Sequence, residues 1–341
     1  MPDPAAPPTL YDVAREAGVS LATASRALNG SARRVREESR VRVEAAAALL
    51  GYSTNAPAQA FARGRATGVF LVVSDITDPF FAALASGVIA AADADGRLVN
   101  MGITDREPDR ELQLVRMARQ QRPVAIILAG SRRHPDRTRG ALLDELRAFE
   151  QTGGRVVAIG QDSLPVARVS FDHAASGRQL AAALAARGYR RPAVLAGPPE
   201  LRIARERVQG LAAGFAEAGV ELPADRIVAG GFDRDGGEAS VRALLAAGLE
   251  ADLLVAVNDV MAIGALSALR EAGIGVPGRI GVAGFDDVAP SRDAAPALST
   301  VRLPLREAGE RAAQLALDPA TTPATRVRLA TEVVLRASTR S

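Results

Sequence analysis

The sequence contains no cysteine and no lysine, and its only histidines are His134 and His173. Without cysteine the chain can form neither a disulfide nor a thiolate metal site. Without lysine it cannot contain the phosphate-binding loop of nucleoside triphosphatases, because that loop needs a lysine on the phosphates. The two histidines lack partners at ligand spacing, so the sequence predicts neither a metal site nor a histidine-based catalytic site.

Long apolar runs are also missing. Hydrophobic residues make up 48% of the 341 residues, yet no run approaches the ~18 residues of a membrane helix. Residues 1–8 lack the basic and apolar regions of a signal peptide. The G-x-S-x-G pattern of serine hydrolases does not occur. We therefore predict a cytoplasmic protein that has no membrane contact, no cofactor and no enzymatic activity.

One glycine pattern imitates a cofactor site. Gly273, Gly275 and Gly278 match G-x-G-x-x-G letter for letter. A dinucleotide site needs this pattern between a strand and a following helix, whereas here a predicted helix comes first and a predicted strand follows. Pro277 also stands where the helix would have to begin. The pattern therefore predicts a helix-to-strand connection and no nucleotide site.

The net charge of +3 is located near the N-terminus. Residues 1–66 contain nine arginines and six acidic residues, which gives 9 − 6 = +3. The remaining 33 arginines balance 33 acidic residues. A positive excess confined to one end of the chain suits contact with a phosphate backbone there.

Residues 9–29 predict two short helices joined by a tight turn. Thr9 and Asp12 have the spacing of a capping box at the start of the first helix. Gly18 supplies the backbone freedom that the turn needs, and Ser20 is a good N-cap for the second helix. The alternative is a small helical subdomain without a DNA role.

The side chains of the predicted second helix divide into two sets. Ala24, Ala27 and Leu28 can face inward. The outward set lies near the N-terminal end, where a helix-turn-helix reads the major groove, and comprises Leu21, Ala22, Ser25 and Arg26.

The stretch T-L-Y-D-V-A-x-x-A-G-V-S-x-x-T-x-S-R-x-L-N, from Thr9 to Asn29, resembles the N-terminal signature of the LacI/GalR (lactose-repressor) family of transcription regulators. The resemblance implies an all-α helix-turn-helix head over residues 1–53 that binds a double-stranded DNA operator. The DNA contacts that it implies are Thr9, Tyr11, Ser20, Leu21, Ala22, Thr23, Ser25, Arg26, Asn29, Asn55, Ala58 and Phe61.

A third helix is predicted from Val35 to Leu50, with Arg36 standing where the family carries a capping serine. The resemblance then implies a hinge helix within residues 54–66, which folds on the operator. Phe61 occupies the position from which the family inserts a leucine into the minor groove, and an apolar wedge of either type can unstack a base step. The alternative is a flexible linker whose Phe61 packs on the core.

From Val69 onward, short apolar runs alternate with alanine-rich helical stretches. This order predicts a doubly wound α/β pattern long enough for two lobes. The predicted strands are Val69–Val73, Ala125–Ala129, Val156–Ile159, Pro192–Ala196, Leu253–Val257 and Ile280–Ala283. The predicted helices lie around 80–92, 110–120, 141–150, 174–187, 204–218, 237–246 and 260–272.

This second part resembles the periplasmic-binding-protein-like sensor core of the same family. The motifs that carry the resemblance are Asp75–Phe81, Gly188–Arg191, Arg205–Gly210, Asn258–Gly264 and Gly284–Asp287. It implies two parallel-sheet lobes within residues 67–341, joined by three crossings of the chain. We predict lobe 1 at about 67–165 and 303–328, and lobe 2 at about 166–302 and 329–341.

Small molecules bind where two such lobes meet at the carboxyl ends of their strands. The resemblance places nine effector contacts there: Asp75, Phe80, Phe81, Asp162, Asp172, Arg207, Phe232, Asn258 and Asp286. Carboxylates, an amide and a guanidinium around aromatic faces suit a polyhydroxyl ligand. Two observations weaken this prediction: Phe80 can equally be core packing, and residues 129–131 lack the polar residue of some sugar-binding relatives.

These observations predict a transcription regulator, specifically a repressor, that binds a near-palindromic operator as a homodimer. A small-molecule effector, predicted to be a carbohydrate, would release the protein from the operator or recruit it. The alternative from another class is a solute-binding transport protein with the same core. Such a protein would carry a signal peptide and lack the DNA-reading head.

Overall fold

The computed structural model describes residues 8–29, 35–52, 68–133, 135–161, 163–248 and 250–341. The chain forms two compact units, residues 1–66 and 67–341, which we call the head and the core.

The described part of the head contains three helices: α1 (Leu10–Glu16), α2 (Leu21–Asn29) and α3 (Glu37–Leu49). The predicted capping box is confirmed, because Thr9 accepts from the backbone of Asp12 and the Asp12 carboxylate accepts from the backbone of Thr9. Ser20 Oγ accepts from the backbone N–H of Thr23 at 3.1 Å, as an N-cap does. Helix α3 begins after Arg36 without a side-chain cap.

Small side chains form the interior of the head. Val13 and Ala24 are fully buried, and Gly18 has the positive φ of 62° that the turn after α1 requires. Alanines let the three helices approach closely. The buried set consists of Val13, Ala14, Ala17, Ala24, Val43, Ala46 and Ala47.

Lobe 1 of the core is built on a six-stranded parallel sheet with the order β11-β5-β4-β3-β1-β2. Its strands are β1 (Gly68–Val73), β2 (Leu98–Ile103), β3 (Ala125–Ala129), β4 (Arg155–Ile159), β5 (Ala167–Phe171) and β11 (Arg326–Leu329). Its helices are α4 (Pro79–Ala94), α5 (Pro108–Gln121), α6 (Arg139–Gln151) and α12 (Leu305–Leu317).

The sheet of lobe 1 is covered on both faces, which is why its central strands are continuous apolar runs. Leu71 of β1 packs in the cluster that contains residues of α4 and α12, whereas Phe70 packs with residues of α5 and α6. Helices α4 and α12 approach closely at Gly87 and Gly309. A Cβ on either glycine would lie 2.0–2.1 Å from a carbonyl oxygen of the other helix.

Lobe 2 contains a four-stranded parallel sheet with the order β7-β6-β8-β9. Its strands are β6 (Pro192–Leu195), β7 (Ile227–Val228), β8 (Leu253–Ala256) and β9 (Gly281–Ala283). Its helices are α7 (His173–Ala186), α8 (Arg202–Glu217), α9 (Arg234–Ala246), α10 (Asp259–Glu271) and α11 (Ala289–Asp293), with a 3₁₀ turn at Ala224–Arg226. The glycine pattern at residues 273–278 lies between α10 and β9, as predicted.

The chain crosses between the lobes three times: after β5, from β10 (Thr300–Arg302) to α12, and from β11 to β12 (Glu332–Val334). Strands β10 and β12 pair antiparallel. The predicted lobe boundary between residues 165 and 166 is wrong. Strand β5 pairs with β4 and β11 in the sheet of lobe 1, so the first crossing comes only after Phe171.

All six predicted strands and seven predicted helices of the core are present, with shifts of a few residues at their ends. The prediction missed β2, β5, β7 and β10–β12, together with α11 and α12. Most of these strands lie at sheet edges or near the crossings, where only part of each strand is buried.

Candidate functional site

The N-terminal end of α2 carries the exposed residues that the sequence predicts to face DNA. Leu21 is 49% exposed, although it is a large apolar side chain. Ala22 and Arg26 are exposed as well, and Ser25 is partly buried. One surface of a short helix thus presents two apolar contacts and a guanidinium, which is the type of surface that reads base edges.

The other predicted DNA contacts divide into three groups. Thr9 and Tyr11 are exposed at the start of α1, where Tyr11 is 65% accessible. The hydroxyls of Ser20 and Thr23 lie 2.8 Å apart and fix each other at the start of α2. The side chain of Asn29 and the predicted hinge contacts Asn55, Ala58 and Phe61 lie outside the described residues.

In the core, a cleft of about 580 Å³ lies between the two lobes. Ser74 and Gly160 directly follow strands β1 and β4, so the cleft lies at the carboxyl ends of the lobe 1 strands. The residues that line it are Ser74, Asp78, Phe80, Phe81, Arg106, Gly130, Ser131, Ile159, Gly160, Phe171, His173, Leu201, Ile203, Arg207, Phe232 and Asp286.

A buried ion pair forms the polar centre of the cleft. Arg207 Nη2 donates to Asp286 Oδ1 at 2.6 Å, and both side chains are almost inaccessible. Arg207 Nη1 donates to the carbonyl oxygen of Val257, also at 2.6 Å. The guanidinium lies 4.0 Å from the ring centroid of Phe285. These three contacts hold the guanidinium in one orientation beside the cleft.

Burial raises the pKa of Asp286 to about 7, and the nearby Asp78 carboxylate adds to the rise while Arg207 opposes it. Asp286 also has an unusual backbone, with φ at 116°. Its N–H donates to the carbonyl of Val301 at 2.8 Å, and its own carbonyl accepts from Leu303 at 3.3 Å. The residue therefore links the cleft to the crossing that leads from β10 to α12.

His173 lies beside Arg207 at the first crossing. Burial, followed by the charges of Arg207 and Arg202, lowers the pKa of His173 well below its ordinary value, so the imidazole is neutral at pH 7. Its Nδ1 accepts from Arg207 Nε at 3.4 Å. A neutral imidazole that accepts at Nδ1 carries its proton on Nε2, so the second ring nitrogen is a hydrogen-bond donor.

Aromatic rings from both lobes form the apolar walls. The predicted contacts Phe80, Phe81 and Phe232 all line the cleft. Phe80 and Phe81 meet edge to face with ring centroids 5.0 Å apart. Phe81 is also buried in the core of lobe 1, so it contributes both to packing and to the cleft.

Three predicted effector contacts do not line the cleft. Asp75 accepts from Thr77 and Arg106. Asp172 caps α7 and pairs with Arg328 at the surface. Asn258 caps α10 with its oxygen and donates its amide to the carbonyl of Phe232. The side chains of these three residues are thus bound to protein groups. Asp162 lies outside the described residues.

The structure adds polar groups that sequence reasoning missed. Asp78 caps α4 and lies 3.5 Å from Arg106, and burial raises the pKa of its carboxyl. His173 was also missed, although it directly follows the predicted contact Asp172. The signal that could have found them is their place in the loop after strand β1 and at the crossing after β5.

The two lobes touch along one rim of the cleft. Ser131 Oγ of lobe 1 accepts from the backbone N–H of Ile203 in lobe 2 at 3.2 Å. Arg133 and Leu201 form an antiparallel bridge between the lobes. The Arg106 guanidinium lies 5.6 Å from the ring centroid of Phe232. Any change in the angle between the lobes must rearrange these contacts.

Within the described ranges, no helix is long and apolar enough to span a bilayer. The same residues contain no group of three or more histidine, cysteine or acidic side chains that could hold a metal ion.

Family models match both units. Residues 9–55 match the bacterial regulatory proteins of the lacI family, and residues 181–339 match a periplasmic binding protein-like domain. The chain is 34% identical to the transcriptional regulator GalS of Salmonella typhimurium over 92% of its own length and 90% of that protein. It is 32% identical to the regulator CelR of Thermobifida fusca over 97% of its length and 98% of that protein.

Solved structures agree with these matches. The complex of the regulator CelR with cellobiose superimposes with a TM-score of 0.70 at 31% identity, covering 97% of this chain and 99% of that one. The lac repressor dimer bound to operator and the anti-inducer ONPF gives a TM-score of 0.81 at 26% identity, covering 98% of this chain and all of that one. The relatives are transcription regulators that share both the head and the core.

Proposed function

Because the chain belongs to the lacI family of bacterial regulatory proteins, we propose that it is a repressor that acts on DNA in the cytoplasm. It binds a near-palindromic operator as a homodimer, and a sugar or sugar derivative in the cleft between the lobes releases it. One observation carries this proposal. A single chain contains both a helix-turn-helix head and a two-lobed core with charged residues in its cleft.

Helix α2 reads the operator in this proposal. Leu21 and Ala22 offer apolar contacts that suit thymine methyl groups, whereas Arg26 can donate two hydrogen bonds to guanine. Phe61 of the hinge segment intercalates at the operator centre, where an apolar wedge unstacks a base step and bends the duplex. The arginine excess of residues 1–66 supplies the contacts to phosphate.

The homodimer forms through the edge of lobe 1 that β2 provides. Leu98 is 78% and Met101 38% exposed on this strand, and β2 is the last strand of the described sheet. Ile89 on α4 and Met117 on α5 are exposed as well. Large apolar side chains at an unpaired sheet edge favour association with a second copy. The related lac repressor is a dimer on its operator.

The cleft supports a sugar as the effector. Aromatic rings can pack against the apolar face of a pyranose, while His173, Arg207 and Asp286 can bind its hydroxyl groups. The relative CelR was solved with cellobiose. Sugar binding changes the angle between the lobes and, through the hinge segment, the affinity of the head for DNA. A coupling of about 1–3 kcal/mol changes operator affinity about 5–150-fold.

The proposal is tested in two steps. Selection from a random duplex library identifies the operator, and a thermal-shift screen of sugars, polyols and nucleobases identifies ligands. A ligand at ~100 times its dissociation constant stabilises the protein by about 2.7 kcal/mol. We expect a palindromic selected sequence and a sugar that releases it. A protein that binds a sugar but selects no duplex would instead be a solute-binding protein.

A further inference from the structure

A second cavity, of about 320 Å³, lies in lobe 1 beside the cleft. It lies where strands β1 to β4 end and helix α5 begins. Ser74, Arg106 and Ser131 line both spaces, so the cavity adjoins the cleft. The other residues that line the cavity are Thr104, Glu107, Pro108, Glu111, Ala129, Arg132, Arg133 and Gln161.

Three arginines line this cavity, and the protein neutralises two of them. Arg106 pairs with two carboxylates of the loop after β1. Arg132 pairs with Glu111 and Asp136. The guanidinium of Arg133, in contrast, forms no ion pair and no hydrogen bond among the described residues, although its Nε is buried. Arg133 therefore offers a positive charge to the cavity.

The acids of the wall leave this charge available. Both oxygens of the buried Glu111 accept from protein donors, and Glu107 is exposed, so its carboxylate stays hydrated. The N-terminal end of α5, where backbone N–H groups carry partial positive charge, also borders the cavity. An oxyanion is the acceptor that forms the strongest hydrogen bonds with a guanidinium such as that of Arg133.

Gln161 adds a second requirement for a ligand. Its side chain is buried, with 4% exposure, and its Nε2 donates to Glu111 Oε1 at 3.1 Å. Its Oε1 has no hydrogen-bond partner among the described residues. Buried polar atoms without partners are rare, because each has lost its bonds to water and gained none. A ligand that completes this wall must therefore carry an anionic oxygen for Arg133 and a hydroxyl group that donates to Gln161.

We propose that the second cavity binds a small oxyanion that carries a hydroxyl group beside its charge, either a 2-hydroxycarboxylate or hydrogen phosphate. The anionic oxygens accept from Arg133, and the hydroxyl donates to Gln161 Oε1. This site lies within lobe 1 and is separate from the sugar site proposed between the lobes. The protein then has a second effector, of different chemistry from the first.

The main chain at Arg133 connects this site to lobe 2. Arg133 forms an antiparallel bridge with Leu201, and the carbonyl of Arg132 accepts from the backbone N–H of Arg202 at 3.5 Å. An anion that fixes the Arg133 side chain in the cavity restrains the segment that makes these contacts. Because a ligand shifts the lobes toward the arrangement that binds it better, the anion should change the affinity of the protein for its operator.

Titration calorimetry on the full chain tests the site with two matched pairs of anions. Lactate differs from propionate by a hydroxyl group, and at neutral pH phosphate carries an O–H that sulfate lacks. At least one hydroxylated anion should bind about tenfold or more tightly than its match, because only it donates to Gln161 Oε1. Preference within one pair alone identifies which of the two oxyanions the site takes.

Two variants test the two contacts separately. Arg133→Met should weaken both members of the preferred pair about tenfold or more. Its side chain makes no bond to the described protein, so the variant should fold as wild type does. Gln161→Leu should weaken only the hydroxylated anion and reduce the ratio to about twofold. Arg110→Met and Gln113→Leu make the same changes at exposed positions of α5 and should bind as wild type does.

Operator titrations test the regulatory role. Salt weakens DNA binding by itself, so the hydroxylated anion is compared with its match at equal ionic strength. Operator affinity should differ between the two by about fivefold or more, and Arg133→Met should remove this difference. Equal operator affinity with both anions would exclude the anion as an effector.

The inference is overturned if neither hydroxylated anion binds more tightly than its match, or if Arg133→Met binds the anions as wild type does. These titrations contain no sugar, so such a result leaves the proposed sugar-responsive repressor in place. Conversely, a sugar screen without any release of operator would remove the proposed sugar response and leave the anion site.

Discussion

Arg207 and Asp286 form a buried pair at 2.6 Å whose two members are fixed by different parts of lobe 2. The guanidinium is held by the carbonyl of Val257 at the end of β8, and the backbone of Asp286 is bonded to the chain that leads through β10 to α12. A ligand that displaces this pair therefore acts on a crossing between the lobes.

The neighbouring carboxylate strengthens this connection. Asp287 is fully buried at its side chain and pairs with three arginines: Arg292, Arg302 and Arg336. Arg302 belongs to β10, one of the two strands at the crossings. Asp286 lines the cleft, and Asp287, the next residue, pairs with a residue of β10. We infer that movement of Asp286 is transmitted to lobe 1 through β10.

Loss of charge at Asp286 should weaken the effector response while leaving effector-free operator binding close to wild type. Hydrogen bonds to charged groups contribute about 1.5–3 kcal/mol, so Asp286→Ala should lower effector affinity ~10–150-fold. Asp286→Asn keeps the shape and one acceptor and should have a smaller effect. Operator binding across an effector titration measures both variants. A wild-type release curve for Asp286→Ala would contradict the assignment.

Arg207→Ala should also remove the response, but with a loss of stability. It leaves the Asp286 carboxyl buried without its partner, as Asp286→Ala leaves the Arg207 guanidinium, and loss of one member costs about 3–5 kcal/mol in comparable pairs. The melting temperature of each variant must therefore accompany its release curve. If Arg207→Ala and Asp286→Ala both abolish operator binding without effector, the pair is structural.

The stability of the protein should depend on pH through Asp286. Its pKa is raised to about 7 in the folded protein and lies near 3.9 in the unfolded chain. Between these values the folded state binds more protons, so the Asp286 contribution to the free energy of unfolding falls as pH rises, by up to about 1.4 kcal/mol per pH unit. Asp286→Asn removes this contribution.

Chemical denaturation of both proteins at pH 5, 6, 7 and 8 tests this expectation. Wild type should lose stability relative to Asp286→Asn between pH 5 and pH 7, and the difference should level off above pH 7. The pKa values of Glu111 and Asp259 are also raised by burial. Both proteins contain Glu111, so its contribution cancels in the comparison. Part of the rise at Asp259 comes from the charge of Asp286, so removal of that charge lowers the pKa of Asp259 and this change is part of the measured difference. A difference that does not vary with pH would contradict the prediction.

Removal of the imidazole N–H at His173 should weaken effector binding. His173→Phe keeps a ring between Phe171 and Phe285, whose centroids lie 5.9 and 6.1 Å from that of the imidazole. The variant loses one neutral hydrogen bond to the effector, so affinity should fall about 2–13-fold, and it also loses the bond that Nδ1 accepts from Arg207 Nε. His173→Gln restores an N–H donor and should recover part of the affinity. Equal affinity for wild type and His173→Phe, measured by calorimetry, would exclude this contact.

The sequence predicted the central strands because strands buried on both faces are continuous apolar runs, as in β1 and β3. It did not predict β2 or β5, whose residues mix apolar with polar side chains. In β5, Arg168 and Ser170 interrupt the apolar pattern. The register of these strands is fixed by pairing with neighbours distant in sequence, and local pattern does not contain that information.

The sequence motifs identified Arg207 and Asp286 as cleft residues. A motif cannot show, however, which polar side chains are already hydrogen-bonded to other groups of the protein. Asn258 belongs to a matching motif, yet its amide is used by local hydrogen bonds. Arg106 was missed because it lies in the loop after the unpredicted strand β2, with a φ of 60°. The residues that line the cleft thus come from the ends of strands that are distant in sequence. These strand ends lie side by side only in the folded sheet.

Arg26 should determine one base of each operator half-site. No carboxylate among the described residues pairs with it, and it is exposed on α2. Arg26→Ala should cost about 1–3 kcal/mol and relax the preference at one position. Arg42→Ala removes another exposed arginine, on α3, and should leave the selected sequence unchanged. If library selection with Arg26→Ala returns the wild-type motif, helix α2 does not read DNA as proposed.

An arginine introduced on β2 should dissociate the homodimer. Leu98 is the most exposed of the apolar side chains on this edge strand, and Met101 lies three residues further along it. In a dimer that buries this edge, Leu98→Arg places an unpaired guanidinium at the interface. Dimer formation would then have to remove the hydrating water from this charge, which costs free energy. We expect the dimer dissociation constant to rise at least about tenfold, with a matching loss of operator affinity because one head contacts only one half-site.

Sedimentation equilibrium measures the first effect, and titration of the selected operator measures the second. Ala213→Arg, at an exposed position of α8 in lobe 2, introduces the same charge away from β2 and should remain a dimer. If Leu98→Arg sediments as wild type does, the dimer forms through another surface.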